Sequence, residues 1–110
     1  KMNNYRFGAR TVDYGINNIA TAYVSWNSAG TTLTSFGCTL SGSGGTYTVT
    51  LDDARGSVNY VPLVCLNAPA PQRVFDSTVI SSTTQFVIRI VNQSGNAEAA
   101  GGYCAVFGGW

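Results

Sequence analysis

The chain has 110 residues, of which 45% are apolar and only 10% charged, and its net charge is +1. That length corresponds to one domain, able to bury roughly two thirds of its unfolded surface. The six basic residues are scattered, which argues against the basic stripe that nucleic-acid binding needs; no run approaches the roughly 20 apolar residues of a membrane-spanning helix, so no membrane insertion is expected.

In chain order, residues 5–12 read as a first strand or an extended lead-in, broken around Gly15 and Asn18. Residues 19–27 alternate, with Ala22, Val24 and Trp26 on one face and Tyr23 and Ser25 on the other. Ser28, Ala29 and Gly30 form a turn. Residues 31–40 follow as a strand whose apolar members are Leu33, Phe36, Cys38 and Leu40, with Gly37 placed for a bulge that would restore alternation. A flexible turn at 41–45 leads to residues 46–51, where Tyr47, Val49 and Leu51 face one way and three threonines the other.

Residues 58–67 are apolar on both faces, the pattern of a central strand. Pro62 conflicts with that position, because proline has no ladder donor and belongs at an edge or a bulge. Residues 68–71 make a stiff connection, and 72–76 and 78–81 read as short strands. The strongest strand of the second half is 85–91, with Phe86, Ile88 and Ile90 against Val87, Arg89 and Val91. A turn at 92–96 uses Gly95 at positive φ, and 103–108 is the last strand. Helix signals are nearly absent; only 52–55 and 96–100 have the composition for a single helical turn. About eight short strands, rich in Thr and β-branched residues, argue an all-β sandwich or barrel, and of these an antiparallel, jelly-roll-like β-sandwich is expected.

Chemistry is harder to find. The chain has no histidine, which removes Ser-His-Asp and Cys-His arrangements and the common imidazole metal sites. Cys38, Cys65 and Cys104 are widely spaced in apolar, strand-like surroundings and read as small buried thiols, in keeping with a reducing cytosol. The acids are Asp13, Asp52, Asp53, Asp76 and Glu98; Asp52 and Asp53 adjoin in a turn, where aspartate favours local hydrogen bonding over catalysis. The Gly42 to Gly45 run lacks the following Lys-Ser/Thr of a phosphate loop, and the Asn92-Gln93-Ser94 triplet suits a turn. No catalytic, metal-ligating or cofactor-binding residue is expected.

Trp26, Tyr47, Phe86 and Phe107 read as core. Tyr23, Tyr60 and Tyr103 are candidate exposed aromatics for a ligand or a subunit contact. Val87, Arg89 and Val91 form a face too apolar for a solvated sheet yet carrying one charge, and are the candidate subunit contact. The low charge content itself favours an oligomer, slightly, over a monomer coated in Ser, Thr and Asn.

Four segments carry a resemblance: Gly45-Thr-Tyr-Thr-Val-Thr-Leu51, Asn59-Tyr-Val-Pro-Leu-Val64, Ser82-Thr-Thr-Gln-Phe-Val-Ile-Arg-Ile90 and Tyr103-Cys-Ala-Val-Phe-Gly108. Their order resembles the C-terminal β-domains of bacteriophage tail fibres and of prophage-encoded collagen-like proteins, over residues 41–108. The resemblance implies a homotrimeric tip, residues 19–110, preceded by a lead-in or connector at 1–18. It implies a role in trimerisation and host attachment, with a glycan or protein of the host surface as partner, in a virion fibre assembled in the bacterial cytoplasm. It brings no catalytic residues. The rival readings are a monomeric carbohydrate-binding module and, behind it, a fibre-borne polysaccharide hydrolase using Asp52 or Asp76.

Overall fold

A computed structural model describes residues 2–3, 5–6, 20–67 and 73–109. Two short segments, β1 (Met2–Asn3) and β2 (Tyr5–Arg6), pair with each other. The rest of the expected lead-in, Asp13 and the 68–71 connection lie outside the described residues. Eight strands follow: β3 (Ala20–Trp26), β4 (Thr32–Phe36), β5 (Cys38–Ser43), β6 (Thr46–Leu51), β7 (Val61–Leu66), β8 (Arg73–Ile80), β9 (Gln85–Asn92) and β10 (Gly102–Phe107). Among the described residues there is no helix, so the helical turns expected at 52–55 and 96–100 do not form.

The strands form two four-stranded antiparallel sheets, a β-sandwich. The first sheet runs β4-β3-β10-β7 and the second β5-β6-β9-β8. Hairpins join β3 to β4, β5 to β6 and β8 to β9, and the chain changes sheet four times, after β4, β6, β7 and β9. The first change occurs at Gly37, whose φ is +71° and where a Cβ would meet the Thr21 carbonyl oxygen at 2.8 Å. The single strand expected over 31–40 is therefore two strands in different sheets, with glycine making the corner that a side chain would block.

Other boundaries shift for equally local reasons. The turn expected over 41–45 narrows to Gly44-Gly45, because Ser43 still pairs with Thr46. Both glycines have positive φ, as a two-residue hairpin loop requires. The two short strands expected at 72–76 and 78–81 are one strand, β8, with a register shift at Asp76 between the Phe75–Ile90 and Ser77–Arg89 pairs. At 92–96 the expected turn forms: the Gly95 amide donates to the Asn92 carbonyl, and Asn92 Oδ1 accepts from the Ser94 and Asn96 amides.

Alternation decides which side chains fill the space between the sheets. Ala22, Val24 and Trp26 of β3 and Cys104 and Val106 of β10 face Tyr47, Val49 and Leu51 of β6 and Phe86, Ile88 and Ile90 of β9, all buried. Burial of each large apolar side chain contributes about 1.5–3 kcal/mol. The Trp26 indole N–H donates to the Ala100 carbonyl at 2.8 Å, so its polar edge is satisfied inside the core. Phe107, expected in this core, is only half-buried: β10 turns Cys104 and Val106 inward, which sends Tyr103, Ala105 and Phe107 outward.

The strand expected at the centre of a sheet is at an edge. Among the described residues β7 pairs only with β10, and Pro62 sits in that strand opposite Val106. Its apolar residues on both faces have another cause. Val64 and Leu66 pack on the core, while Val61 and Leu63 are exposed on the outer side.

Candidate functional site

The outer face of the first sheet is built from the residues that alternation turns away from the core. Ala105 lies opposite Tyr23 on one side and Leu63 on the other, and Tyr23 in turn lies opposite Phe36. In the next row Tyr103 lies between Ser25 and Cys65. The Tyr23 and Phe36 rings stack with centroids 5.6 Å apart. Ala105, small between large neighbours, leaves a trough of about 260 Å³ flanked by Tyr23, Leu63, Cys65 and Tyr103. No residue of β3, β4, β7 or β10 is charged.

Exposure on this face is large. Phe36 is 58% exposed, Leu63 57% and Tyr103 51%, with Tyr23 and Val61 also exposed. Together these five leave on the order of 500 Å² of mostly apolar surface open, against the 300–600 Å² of the largest patch on a typical monomer.

The outer face of the second sheet is different in kind. Its rows read Thr39–Thr50–Gln85, then Ser41–Thr48–Val87–Val79, then Ser43–Thr46–Arg89–Ser77. The Gln85 side-chain amide donates to Thr50 Oγ1 at 3.1 Å. Val87 is half-buried, opposite Thr48 and Val79, while Arg89 is exposed. Val91 is half-buried and forms a bridge with Ala97. The three residues expected to form a subunit contact do share one face, bordered by the threonines of β6 on one side and by Val79, Ser77 and Val74 of β8 on the other. The more apolar surface lies on the opposite side of the sandwich.

Of the three tyrosines expected to be exposed, Tyr23 and Tyr103 are exposed and both flank the trough. Tyr60 is a correction: it is 2% exposed. Its ring packs against Phe86, and its hydroxyl lies 2.8 Å from both the Ser82 and Gln85 carbonyl oxygens. The residue closes one end of the sandwich by tying the β6–β7 connection to the β8–β9 loop, and burial raises its pKa.

The cysteines divide. Cys38 and Cys104 are buried, and Cys104 is pushed up to about 12, chiefly by burial and secondly by its neighbour Cys38. Cys65, expected to be buried, is exposed beside Tyr103.

A second cavity, of about 560 Å³, opens at the Gly37 corner. Its lining includes Ser35, Phe36 and Thr39 from the β4–β5 corner and Asp52, Asp53 and Arg55 from the connection after β6. Arg55, itself buried, donates to the Asp53 carbonyl at 2.9 Å and to Thr21 Oγ1 at 2.7 Å, fastening the 52–60 connection to β3. Its pKa is lowered by burial, with Asp53 the largest opposing influence. Asp52 and Asp53 are exposed, and the side chain of Asp76 lies outside the described residues. No group of three His, Cys, Asp or Glu able to hold a metal occurs among the described residues.

No protein-family model, no curated protein and no solved structure matches the chain.

Proposed function

We propose that the chain is a non-enzymatic, self-associating domain, the jelly-roll-like homotrimeric tip of a phage or prophage fibre, acting in trimerisation and host-surface attachment. The outer face of the first sheet is its subunit contact. The observation that carries the self-association is the cluster of Tyr23, Leu63, Cys65 and Tyr103 around an uncharged trough. A surface without charge has no electrostatic means of selecting a charged partner, and its best complement is another apolar face. The chain supplies such a face in every copy.

The exposed area supports the same occupant. Adding Ala105, Cys65 and Phe107 to the five large side chains brings the patch toward the roughly 800 Å² per partner of a standard interface. Aromatic anchors at its centre are what association energies concentrate on. The number three and the fibre context come from the resemblance of residues 41–108 to fibre-tip domains. Static light scattering at micromolar concentration tests the reading: a mass three times the 11.6 kDa of the chain is expected, whereas a monomer at every concentration would refute it and leave a monomeric carbohydrate-binding module as the better reading.

A further inference from the structure

We propose that the cavity at the Gly37 corner, between the β4–β5 turn and the start of the β6–β7 connection, binds a neutral sugar. This rests on the fibre-tip reading and adds to it a place and a ligand class. The cavity combines the three things a pyranose needs. One wall is an aromatic ring, Phe36, more than half exposed and backed by its stack on Tyr23, so its position is held without a ligand. The lining also includes two exposed acids, Asp52 and Asp53, whose carboxylates are strong acceptors for vicinal hydroxyl groups. Ser35 and Thr39 add hydroxyls that donate or accept. A sugar presents C–H faces to the ring and hydroxyls to the polar lining, as amphipathic ligands in clefts of 300–1,000 Å³ do.

Charge selects within the class. Two carboxylates stand against one guanidinium, and the Arg55 group is buried and engaged with Asp53 and Thr21. The opening is therefore negative. It disfavours sialylated, uronic or phosphorylated glycans, whose anionic groups would meet carboxylates at close range. The trough on the first sheet offers only the hydroxyls of Tyr23, Ser25 and Tyr103 and no carboxylate, so the two cavities are suited to different occupants: the trough to another copy, the corner to a sugar.

The corner also lies at the rim of the subunit contact, since Phe36, on the edge strand β4, stands opposite Tyr23 and lines the corner cavity but not the trough. Three copies would present three such sites, and multivalency would let weak single sites hold a repetitive surface glycan. Titration of the full chain with methyl glucoside, galactoside and mannoside, followed by amide chemical shifts, tests this. At least one hexoside is expected to move resonances of residues 35–39 and 52–55 with a Kd on the order of 1 mM. Asp52→Asn, at an exposed site away from the subunit contact, should weaken binding at least tenfold with the scattering mass unchanged, and Phe36→Leu should weaken it similarly. No shift with any of the three at ~50 mM, shifts confined to the trough, or hydrolysis of the hexoside would each overturn the proposal. Sugar binding by a chain that scatters as a monomer would refute the trimer and leave the corner site standing, so the two failures are distinguishable.

Discussion

The outer faces of the two sheets are made from the same antiparallel ladder, yet one carries Tyr23, Phe36, Leu63 and Tyr103 with no charge, and the other carries Thr39, Ser41, Thr48 and Thr50 with Arg89. Sheet geometry does not force that contrast. Both sheets use one set of alternate residues for the shared core, and the other set is free to suit whatever lies outside. On the second sheet, Val79 and Val87 apart, it suits water: threonine has high strand propensity and a hydroxyl that solvent can satisfy. On the first it suits an apolar neighbour. The open apolar area of the first sheet falls within the range of the largest patch on a typical monomer, a patch that is often functional, and its contrast with the second sheet is what supports placing the proposed subunit contact there.

The largest effect should come from filling the trough. Ala105→Arg puts a charge where a partner's side chains are expected, and association should weaken at least a hundredfold, since unpaired charges in a desolvated contact cost several kcal/mol. Far-ultraviolet dichroism should still report the sandwich, because Ala105 faces outward. Tyr103→Ala removes an anchor without adding a charge; a tenfold to hundredfold weakening, about 1.5–3 kcal/mol, is expected from sedimentation. Maleimide labelling then compares positions within one chain. Cys65 should react quickly in the Ala105→Arg monomer and slowly in the assembled wild type, whereas Cys38 and Cys104 should resist in both until the fold opens.

Smaller effects test the interior, which both sheets share and which should be indifferent to the contrast. Tyr60→Phe removes the donor shared by the Ser82 and Gln85 carbonyl oxygens, of which Gln85 keeps the Ser81 and Ser82 amides, and should cost about 1–2 kcal/mol in chemical denaturation. Tyr47→Phe should be neutral or slightly stabilising, because the Tyr47 hydroxyl is buried without a hydrogen-bond partner among the described residues. Stability should also depend on alkali. Cys104 titrates near 12 in the fold against an ordinary 9.0, so the unfolded chain loses its proton first. Stability is then flat below pH 9 and declines as pH rises from 9 toward 12, with the raised thiol of Cys38 acting in the same direction. Cys104→Val should flatten that decline in a thermal-melt series.

Much of the sandwich was legible in the sequence because one-sided burial leaves a period of two. Residues 46–51 and 85–91 alternate cleanly, and both are interior strands of the second sheet whose outer neighbours are polar. The first sheet was read less well for the same physical reason that makes it interesting. When the outer face is also apolar, alternation disappears: residues 58–67 then imitate a central strand, and Phe107 imitates a core residue. Two signals pointed the right way. Pro62 required an edge, and the segments that became β3, β4, β7 and β10 hold no charged residue at all. Tyr60 was misplaced because a buried tyrosine on a connection depends on long-range carbonyl partners from the β8–β9 loop, which no local pattern reveals. The corner cavity was invisible for a similar reason, since Phe36 and Asp52 meet only after the chain has changed sheet at Gly37.

Leu63 and Val79 are matched positions, both more than half exposed on edge strands, one on each outer face. Leu63→Lys and Val79→Lys, examined side by side by static light scattering at the same concentration, therefore test most directly which face joins the copies. The account predicts a monomer for Leu63→Lys and an unchanged trimer for Val79→Lys. A trimer that survives Leu63→Lys but is lost in Val79→Lys would contradict it and move the subunit contact to the threonine face.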